Sequence, residues 1–289
     1  MSFDPFLKAV GTGPKGNRDL TQDEMHQAMM MILQGQVSPE VIGAFLIALR
    51  IKIESDDELK GTHSALKTML SPQLALPDSI ELSYPFDGKK KHPILLPLIA
   101  KACPDLDIIV SIDSDLRPKG TTLLELSQHK LLPDNIHLQD RSEFLLWLSS
   151  LNSLRNNLKL RTIFNTVEKL LNPVQSSYAV IGAHHTPYFK KYQELFGSSY
   201  ERLIILQGDE GSSEVVKKAK LIIVDQGKEV EKMTLDPKDF DIDPLAFESF
   251  DTAASRIEIL KNPDKNIQNL TLLNAKILSL AAKKISVLS

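Results

Sequence analysis

The segment YPFDGKKK, residues 84–91, combines an Asp-Gly turn with three consecutive lysines. Backbone amides and lysine ammonium groups both bind phosphate oxygens, so the segment is a candidate phosphate-binding loop. However, Pro85 has no amide hydrogen to donate, and bulky side chains precede the Asp-Gly pair. A phosphate could not approach this backbone as closely as it approaches a glycine-rich loop. The alternatives are therefore a working phosphate loop and a lost one.

A second group of basic residues is spaced for a helical or near-helical face. Together the two groups give the predicted nucleic-acid contacts, which are Lys89, Lys90, Lys91, Arg155, Lys159 and Arg161. Each contact to a phosphate would release counterions, so binding would weaken steeply with salt. An exposed loop tip and an ordinary solvated helix face are the alternative interpretations. No helix-turn-helix, zinc-finger or aromatic stacking pattern is present, so base-specific recognition is not predicted.

Other reactive residues give weaker signals. His184 and His185 follow a predicted strand, but no third ligand stands at a recognisable spacing, so we predict no metal site. The single cysteine, Cys103, excludes an internal disulfide and indicates a reducing, cytoplasmic location. The net charge of −3 means that any nucleic-acid site must be a local basic patch. No signal peptide or membrane-spanning stretch is predicted.

The elements that must position these residues change in character along the chain. The first 71 residues predict capped helices, with capping boxes at Thr21 and Glu24 and at Ser55 and Glu58. After a proline-containing linker, short apolar runs at 106–112, 178–183, 202–208 and 220–227 predict buried strands. Helical patterns alternate with them, one of which, 144–158, contains Trp147 as a predicted core residue. This alternation is typical of a mostly parallel sheet flanked by helices.

Four segments, in order along the chain, resemble the anthranilate phosphoribosyltransferase family, also classed as glycosyltransferase family 3. They are LTQDEMHQAMMMILQGQVSPEVIGAFLIALRIKIES (20–55), LRTIFNTVEKLLNP (160–173), AVIGAHHTPYFKKYQELFGSSYERLIILQGDEGSSE (179–214) and NLTLLNAKILSLA (269–281). The resemblance implies an α/β fold with a small helical N-terminal domain, 1–75, and a larger domain, 76–289. Hinge segments would return helices near 160–175 to the small domain. It also implies a homodimer formed through the helical domain.

The enzymes of this family bind magnesium phosphoribosyl pyrophosphate and transfer its ribosyl group to an amine. At their glycine loop this chain has Tyr84, Pro85 and Phe86, and it retains only Asp87 and Gly88. Their basic KHGNR segment corresponds roughly to SIDSD, residues 111–115, which carries aspartates instead. Their magnesium-binding Asp-Glu pair corresponds to Ser213 and Glu214. Three separate differences at one site predict that the donor site is lost.

A degenerate substrate site would then consist of Asp87, Gly88, Arg161, Asn165 and Glu214, with no catalytic residue, no cofactor and no metal. GTGPKGNRDLT (11–21) and the tyrosine followed by basic residues resemble a non-catalytic, nucleic-acid-binding branch of the family. We therefore predict a protein that binds nucleic acid non-specifically. Two alternatives stay open: a pentosyltransferase with an altered donor or acceptor, which would use magnesium, and a dimeric protein that binds a nucleobase or an anion.

Overall fold

The computed structural model describes residues 2–116, 118–243 and 250–288 and divides the chain into two compact units. The helical unit comprises residues 1–73 and 141–173, and the sheet unit comprises 74–140 and 174–289. The sequence predicts that, beyond residue 75, only helices near 160–175 belong to the small helical domain. The structure assigns the whole of 141–173 to it.

The helical unit contains four longer helices followed by four short ones. They are α1 (Asp4–Gly11), α2 (Gln22–Leu33), α3 (Pro39–Lys52), α4 (Asp56–Thr68), α7 (Arg141–Phe144), α8 (Leu146–Ser149), α9 (Asn152–Leu158) and α10 (Phe164–Val167). Thr21 and Ser55 form the predicted capping boxes of α2 and α4 with Glu24 and Glu58. Local sequence therefore fixes where these helices begin.

The single helix predicted for 144–158 is interrupted in the structure. It is divided between the end of α7, α8 and α9. Trp147 on α8 is 46% exposed, so the prediction that it lies in the core is wrong. Its leucine neighbours explain the error, because Leu145 and Leu148 are fully buried while Leu146 is exposed.

The sheet unit holds seven strands and the remaining helices. The strands are β1 (Ile80–Leu82), β2 (Ile108–Ile112), β3 (Ile136–Asp140), β4 (Tyr178–Ala183), β5 (Arg202–Gln207), β6 (Ala219–Asp225) and β7 (Lys228–Leu235). The helices are α5 (Leu96–Ala102), α6 (Leu123–Gln128), α11 (Tyr188–Phe196), α12 (Ala253–Lys261) and α13 (Lys265–Ala281). All four predicted strands are present.

The strand order is β3-β2-β1-β4-β5-β6-β7, with β3 to β5 parallel and the last two pairings antiparallel. The chain runs from β1 outward to β2 and β3, and from β4 outward in the other direction. The connections therefore reverse direction between β1 and β4. In open α/β sheets a ligand site lies at the carboxyl ends of the strands beside such a reversal.

None of the described helices combines the length and the apolar character needed to span a bilayer. The longest described helix, α13, has 17 residues and buries one face in the core of the sheet unit through residues such as Leu270, Leu273 and Ile277.

Candidate functional site

Two loops at the carboxyl ends of the central strands form the candidate site. The first follows β1 and contains residues 83–95, and the second follows β5 and contains residues 208–214. The Ser213 hydroxyl donates to the carbonyl of Val180 on β4 at 2.6 Å and accepts from the amide of Ser83 at 3.0 Å. This serine therefore ties the second loop to β1 and β4 at the point where the connections reverse.

Two glycines allow the close packing of these loops. Gly88 has a φ of +84°, and a Cβ there would lie 2.5 Å from the carbonyl oxygen of Thr121. A Cβ at Gly208 would lie 1.7 Å from the carbonyl oxygen of Ser212. The predicted site residue Gly88 therefore serves loop packing, because no other residue fits its conformation and its space.

Lys89 lies in a buried ion cluster with Asp209 and Glu214, which we call the Lys89 cluster. The Lys89 ammonium lies 2.9 Å from Glu214 Oε2 and 2.5 Å from Asp209 Oδ2. Glu214 Oε1 accepts hydrogen bonds from the Tyr84 hydroxyl at 2.8 Å and from the amide of Leu96 at 3.0 Å. Each buried charge therefore has a partner, as burial requires.

The charges of the Lys89 cluster stabilise one another. Burial alone would lower the pKa of Lys89, but Glu214 and Asp209 raise it, so the ammonium stays charged. Burial opposes ionisation of Asp209, yet Lys89 and His92 hold the pKa of that carboxyl well below its ordinary value. Burial and the charge of Glu214 raise the pKa of the Tyr84 hydroxyl, which therefore acts as a donor.

Glu210 lies beside this cluster and accepts three backbone hydrogen bonds. The amides of Lys90, Lys91 and His92 donate to its carboxylate at 2.8, 3.0 and 3.1 Å. His92, Asp209 and Glu210 are the only group within the described residues whose ligand atoms could together hold a metal ion. Because the Lys89 ammonium and three amide donors already surround these carboxylates, the group is poorly suited to a cation.

The segments that differ from the transferase motifs line a small cavity of about 60 Å³. Tyr84, Pro85 and Phe86 line it together with residues 111–114. Pockets that bind drug-sized ligands usually measure about 300–1,000 Å³. The volume of this cavity is well below that range.

The three lysines of the first loop differ in exposure. Lys90 and Lys91 are exposed, whereas Lys89 has no exposed surface. The prediction that Lys89 belongs to an exposed basic cluster is therefore corrected, because its ammonium is held by two buried carboxylates. Asp87 lies at the same loop, where its carbonyl accepts from the amides of Lys119 and Gly120 at 2.8 and 3.0 Å.

The helical unit contains a second buried ion cluster, which we call the Glu168 cluster. Arg155 donates from both terminal nitrogens to Glu168, at 2.9 and 2.6 Å, and Arg141 donates to the same carboxylate. Arg155 is only 7% exposed. The prediction that it contacts nucleic acid is corrected, since its guanidinium is engaged inside the unit and lies over the ring of Phe164.

The remaining predicted residues of the helical unit lie near its surface. Lys159 ends α9 in a left-handed conformation and is exposed, as is Arg161. The carbonyl of Arg161 accepts a hydrogen bond from Arg50 at 2.6 Å. The Asn165 side chain accepts from the amide of Thr162 at 2.9 Å, so Asn165 stabilises a local turn. Arg161 and Asn165 belong to the helical unit, and Asp87, Gly88 and Glu214 belong to the sheet unit.

A larger groove of about 680 Å³ lies elsewhere on the sheet unit, beside Lys283 and Lys284. Arg202, on its wall, forms an ion pair with Asp225, and Lys283 lies 3.7 Å from Glu201. Opposite charges therefore accompany its basic residues, and none of the predicted site residues lines it.

Of the partners that decide these environments, Glu214 is among the site residues predicted from the sequence. Asp209, Glu210, Arg141 and Glu168 are not among them. Glu168 did carry a signal, because a charged residue within the apolar segment IFNTVEKLL needs a buried partner. The identity of that partner could not be inferred from spacing.

Comparisons with known proteins agree with this architecture. Residues 4–68 match the helical bundle domain of the glycosyl transferase family, and residues 141–289 match its a/b domain. An uncharacterized protein of Aquifex aeolicus is 32% identical over 76% of this chain and 72% of its own length. An anthranilate phosphoribosyltransferase of Clostridium kluyveri is 25% identical over 89% of this chain and 84% of its own length.

Solved structures show the same fold at lower identity. The anthranilate phosphoribosyltransferase of Thermus thermophilus superposes with a TM-score of 0.75 at 17% identity, covering 98% of this chain and 91% of that chain. The anthranilate phosphoribosyltransferase of Saccharomyces cerevisiae in complex with PRPP and Mg gives a TM-score of 0.71 at 16% identity, covering 98% of this chain and 89% of that chain.

Proposed function

The chain belongs to the glycosyl transferase family, and we propose that it is a member that has lost its phosphoribosyl pyrophosphate site and binds nucleic acid without sequence specificity. The observation that carries the first part is the Lys89 cluster. Glu214, which corresponds to a magnesium-binding glutamate in the enzymes that the sequence resembles, has no exposed surface and is neutralised by an internal ammonium. A lysine therefore supplies the positive charge that a metal would supply there.

The small cavity supports the same proposal. Tyr84, Pro85 and Phe86 occupy the place of the glycine loop, and together with residues 111–114 they line a cavity of only about 60 Å³. Asp113, which is buried, would also repel a pyrophosphate. A pyrophosphate at this cavity would therefore meet bulky side chains and a buried carboxylate.

Nucleic-acid binding is supported by the basic residues that stay exposed. These are Lys90 and Lys91 on the sheet unit and Lys159 and Arg161 on the helical unit. Their charges are free to form contacts with phosphates, whereas Lys89 and Arg155 are engaged internally. Because contacts to phosphates carry no sequence information, we expect binding to single- and double-stranded DNA alike.

The salt dependence of binding tests this proposal. Fluorescence anisotropy with labelled oligonucleotides should give micromolar affinity at low salt and a steep loss toward physiological salt. Replacing Lys90 and Lys91 with glutamine should reduce the slope of log K against log salt by about 2. The matched control replaces Lys228 and Lys232, two exposed lysines of β7, and should leave the slope unchanged. No binding at low salt, or a flat salt response, would refute the proposal.

Calorimetry with magnesium phosphoribosyl pyrophosphate tests the loss of the donor site. We expect no saturable heat. Saturable binding that Glu214→Ala abolishes would instead support the alternative, a pentosyltransferase with an altered substrate.

We further propose that the chain forms a homodimer through its helical unit, as the family resemblance implies. The exposed apolar side chains of the adjacent residues Leu146 and Trp147 support this proposal, because exposed apolar patches mark protein interfaces. Sedimentation equilibrium should give twice the mass of 32.3 kDa. Trp147→Lys should shift the protein toward monomer, and a monomeric wild type would refute the dimer.

A further inference from the structure

Three consecutive backbone amides converge on one carboxylate at the surface of the sheet unit. The amide of Lys90 donates to Glu210 Oε2 at 2.8 Å, and the amides of Lys91 and His92 donate to Oε1 at 3.0 and 3.1 Å. Successive amides that point at one centre form an anion-binding concavity. We infer that these amides are a phosphate-binding site which the chain keeps occupied with its own Glu210.

The amides are held in place by contacts that do not involve Glu210. Arg256, only 5% exposed, donates to the carbonyl of Lys90 at 2.7 Å and to the hydroxyl of Thr121 at 3.0 Å. The amide and carbonyl of Lys89 pair with the carbonyl and amide of Thr121 at 2.9 and 2.8 Å. The carbonyls of Lys89 and Lys90 are therefore fixed toward the protein. The three amides would stay oriented toward an anion after the carboxylate had left.

Glu210 reaches the amides through an unusual backbone. Its φ and ψ are 49° and 22°, and Gly211 follows with a φ of 83°. Positive φ is uncommon for a residue with a side chain, so contacts outside the backbone must favour this conformation. The carboxylate is only half-buried, in contrast to Asp209 beside it. A rotation of the Glu210 side chain would expose the amides without disturbing the Lys89 cluster.

Phosphate suits the emptied site better than the other ligand classes. A metal ion would face three N–H donors and the nearby Lys89 ammonium, which repel a cation. A phosphate carries more negative charge than a carboxylate and offers an additional oxygen. The side chains of Lys90 and Lys91, which extend into solvent beside the amides, can bind that oxygen.

The inference does not depend on nucleic-acid binding, because the site would take a free phosphate or a phosphodiester alike. Glu210 is tethered beside the amides and competes at a high effective concentration. The apparent affinity of the wild-type protein for phosphate must therefore be lower than that of the site itself. Removing the carboxylate should reveal the difference.

The test is a titration with inorganic phosphate, followed through the backbone amide resonances of residues 90–92 by NMR. In Glu210→Ala we expect saturable downfield shifts of these amide protons, with an affinity at least about tenfold higher than in the wild type. Glu210→Gln should give an intermediate affinity, since its amide oxygen accepts from the same donors without the charge. Glu229→Ala, which removes an exposed glutamate from β7, is the control and should behave as the wild type.

A second titration uses hexathymidylate without terminal phosphates and distinguishes a phosphodiester from free phosphate as the ligand. Shifts with either ligand that are stronger in Glu210→Ala support the inference. Two results would overturn it: no shift at residues 90–92 in either Glu210 variant while their spectra remain those of the folded protein, or equal affinities in the wild type and in Glu210→Ala. The nucleic-acid proposal is decided separately by the salt dependence of oligonucleotide binding.

Discussion

The Lys89 cluster of the sheet unit and the Glu168 cluster of the helical unit have opposite charge arrangements. In the sheet unit one ammonium, that of Lys89, lies between two carboxylates, and in the helical unit two guanidinium groups bind the single carboxylate of Glu168. Arg155 binds both oxygens of Glu168, which its planar group allows, whereas Lys89 acts as a point charge between separate partners. The comparison shows that a basic residue near a predicted phosphate site can be a structural counterion.

Removing the buried ammonium of Lys89 should have the largest effect on stability. Lys89→Met leaves Asp209 and Glu214 buried without their cation, which should lower the free energy of unfolding by about 3 to 5 kcal/mol. Urea denaturation measures the change. Lys90→Met, one residue away and exposed, should change it by less than about 0.5 kcal/mol. If the two variants were equally stable, the Lys89 cluster would not hold the loops together.

Removing the buried carboxylate of Glu168 in the helical unit should have a smaller effect on stability. Glu168→Gln leaves Arg141 and Arg155 buried, but the glutamine oxygen can still accept from one of them, so we expect a loss of only about 2 kcal/mol. Glu143→Gln, on the exposed side of α7, is the matched control. A loss as large as that of Lys89→Met would show that the geometry of the pairing is unimportant.

The stability of the helical unit should fall at acidic pH because of His63. Burial, and then the charge of Lys67, lowers the pKa of His63 in the helical unit to about 4. Between pH 6.5 and 4 the unfolded chain binds a proton that the folded chain excludes, so stability falls as the pH falls. The loss should approach about 3 kcal/mol at pH 4.

The low pKa of Asp209 keeps that carboxyl ionised throughout this range. Urea denaturation at several pH values should therefore show a slope that His63→Gln removes and that Lys89→Met retains. An unchanged slope in His63→Gln would contradict the assignment to this histidine.

The smallest predicted change is an increase in the free energy of unfolding. It arises from relief of backbone strain in the helical unit. Ile53 follows α3 with a φ of 71° and is 71% exposed. A β-branched residue is strained there and glycine is not, so Ile53→Gly should raise the free energy of unfolding by about 1 kcal/mol. Ile51→Ala, at an exposed helical position, should change it by less than about 0.5 kcal/mol. Destabilisation by the glycine would indicate that the Ile53 side chain makes a stabilising contact.

The sequence by itself determined the local elements of this protein. The capping boxes at Thr21 and Ser55 and the apolar runs of β2, β4, β5 and β6 act over a few residues, so their patterns could be interpreted directly. Motif order was sufficient to indicate the family. The strands β1, β3 and β7 were not predicted, because β1 has only three residues and the polar, largely unburied sequences of β3 and β7 contain no continuous apolar run.

Only the tertiary structure decided which charged side chains are exposed and can contact a ligand. Lys89, Lys90 and Lys91 are identical in type and adjacent in sequence, yet the first is buried and the other two are exposed. Its partners, Asp209 and Glu214, lie more than a hundred residues away. Burial depends on contacts made after the chain has folded, and the cost of burying a charge is met only by partners that such contacts bring together.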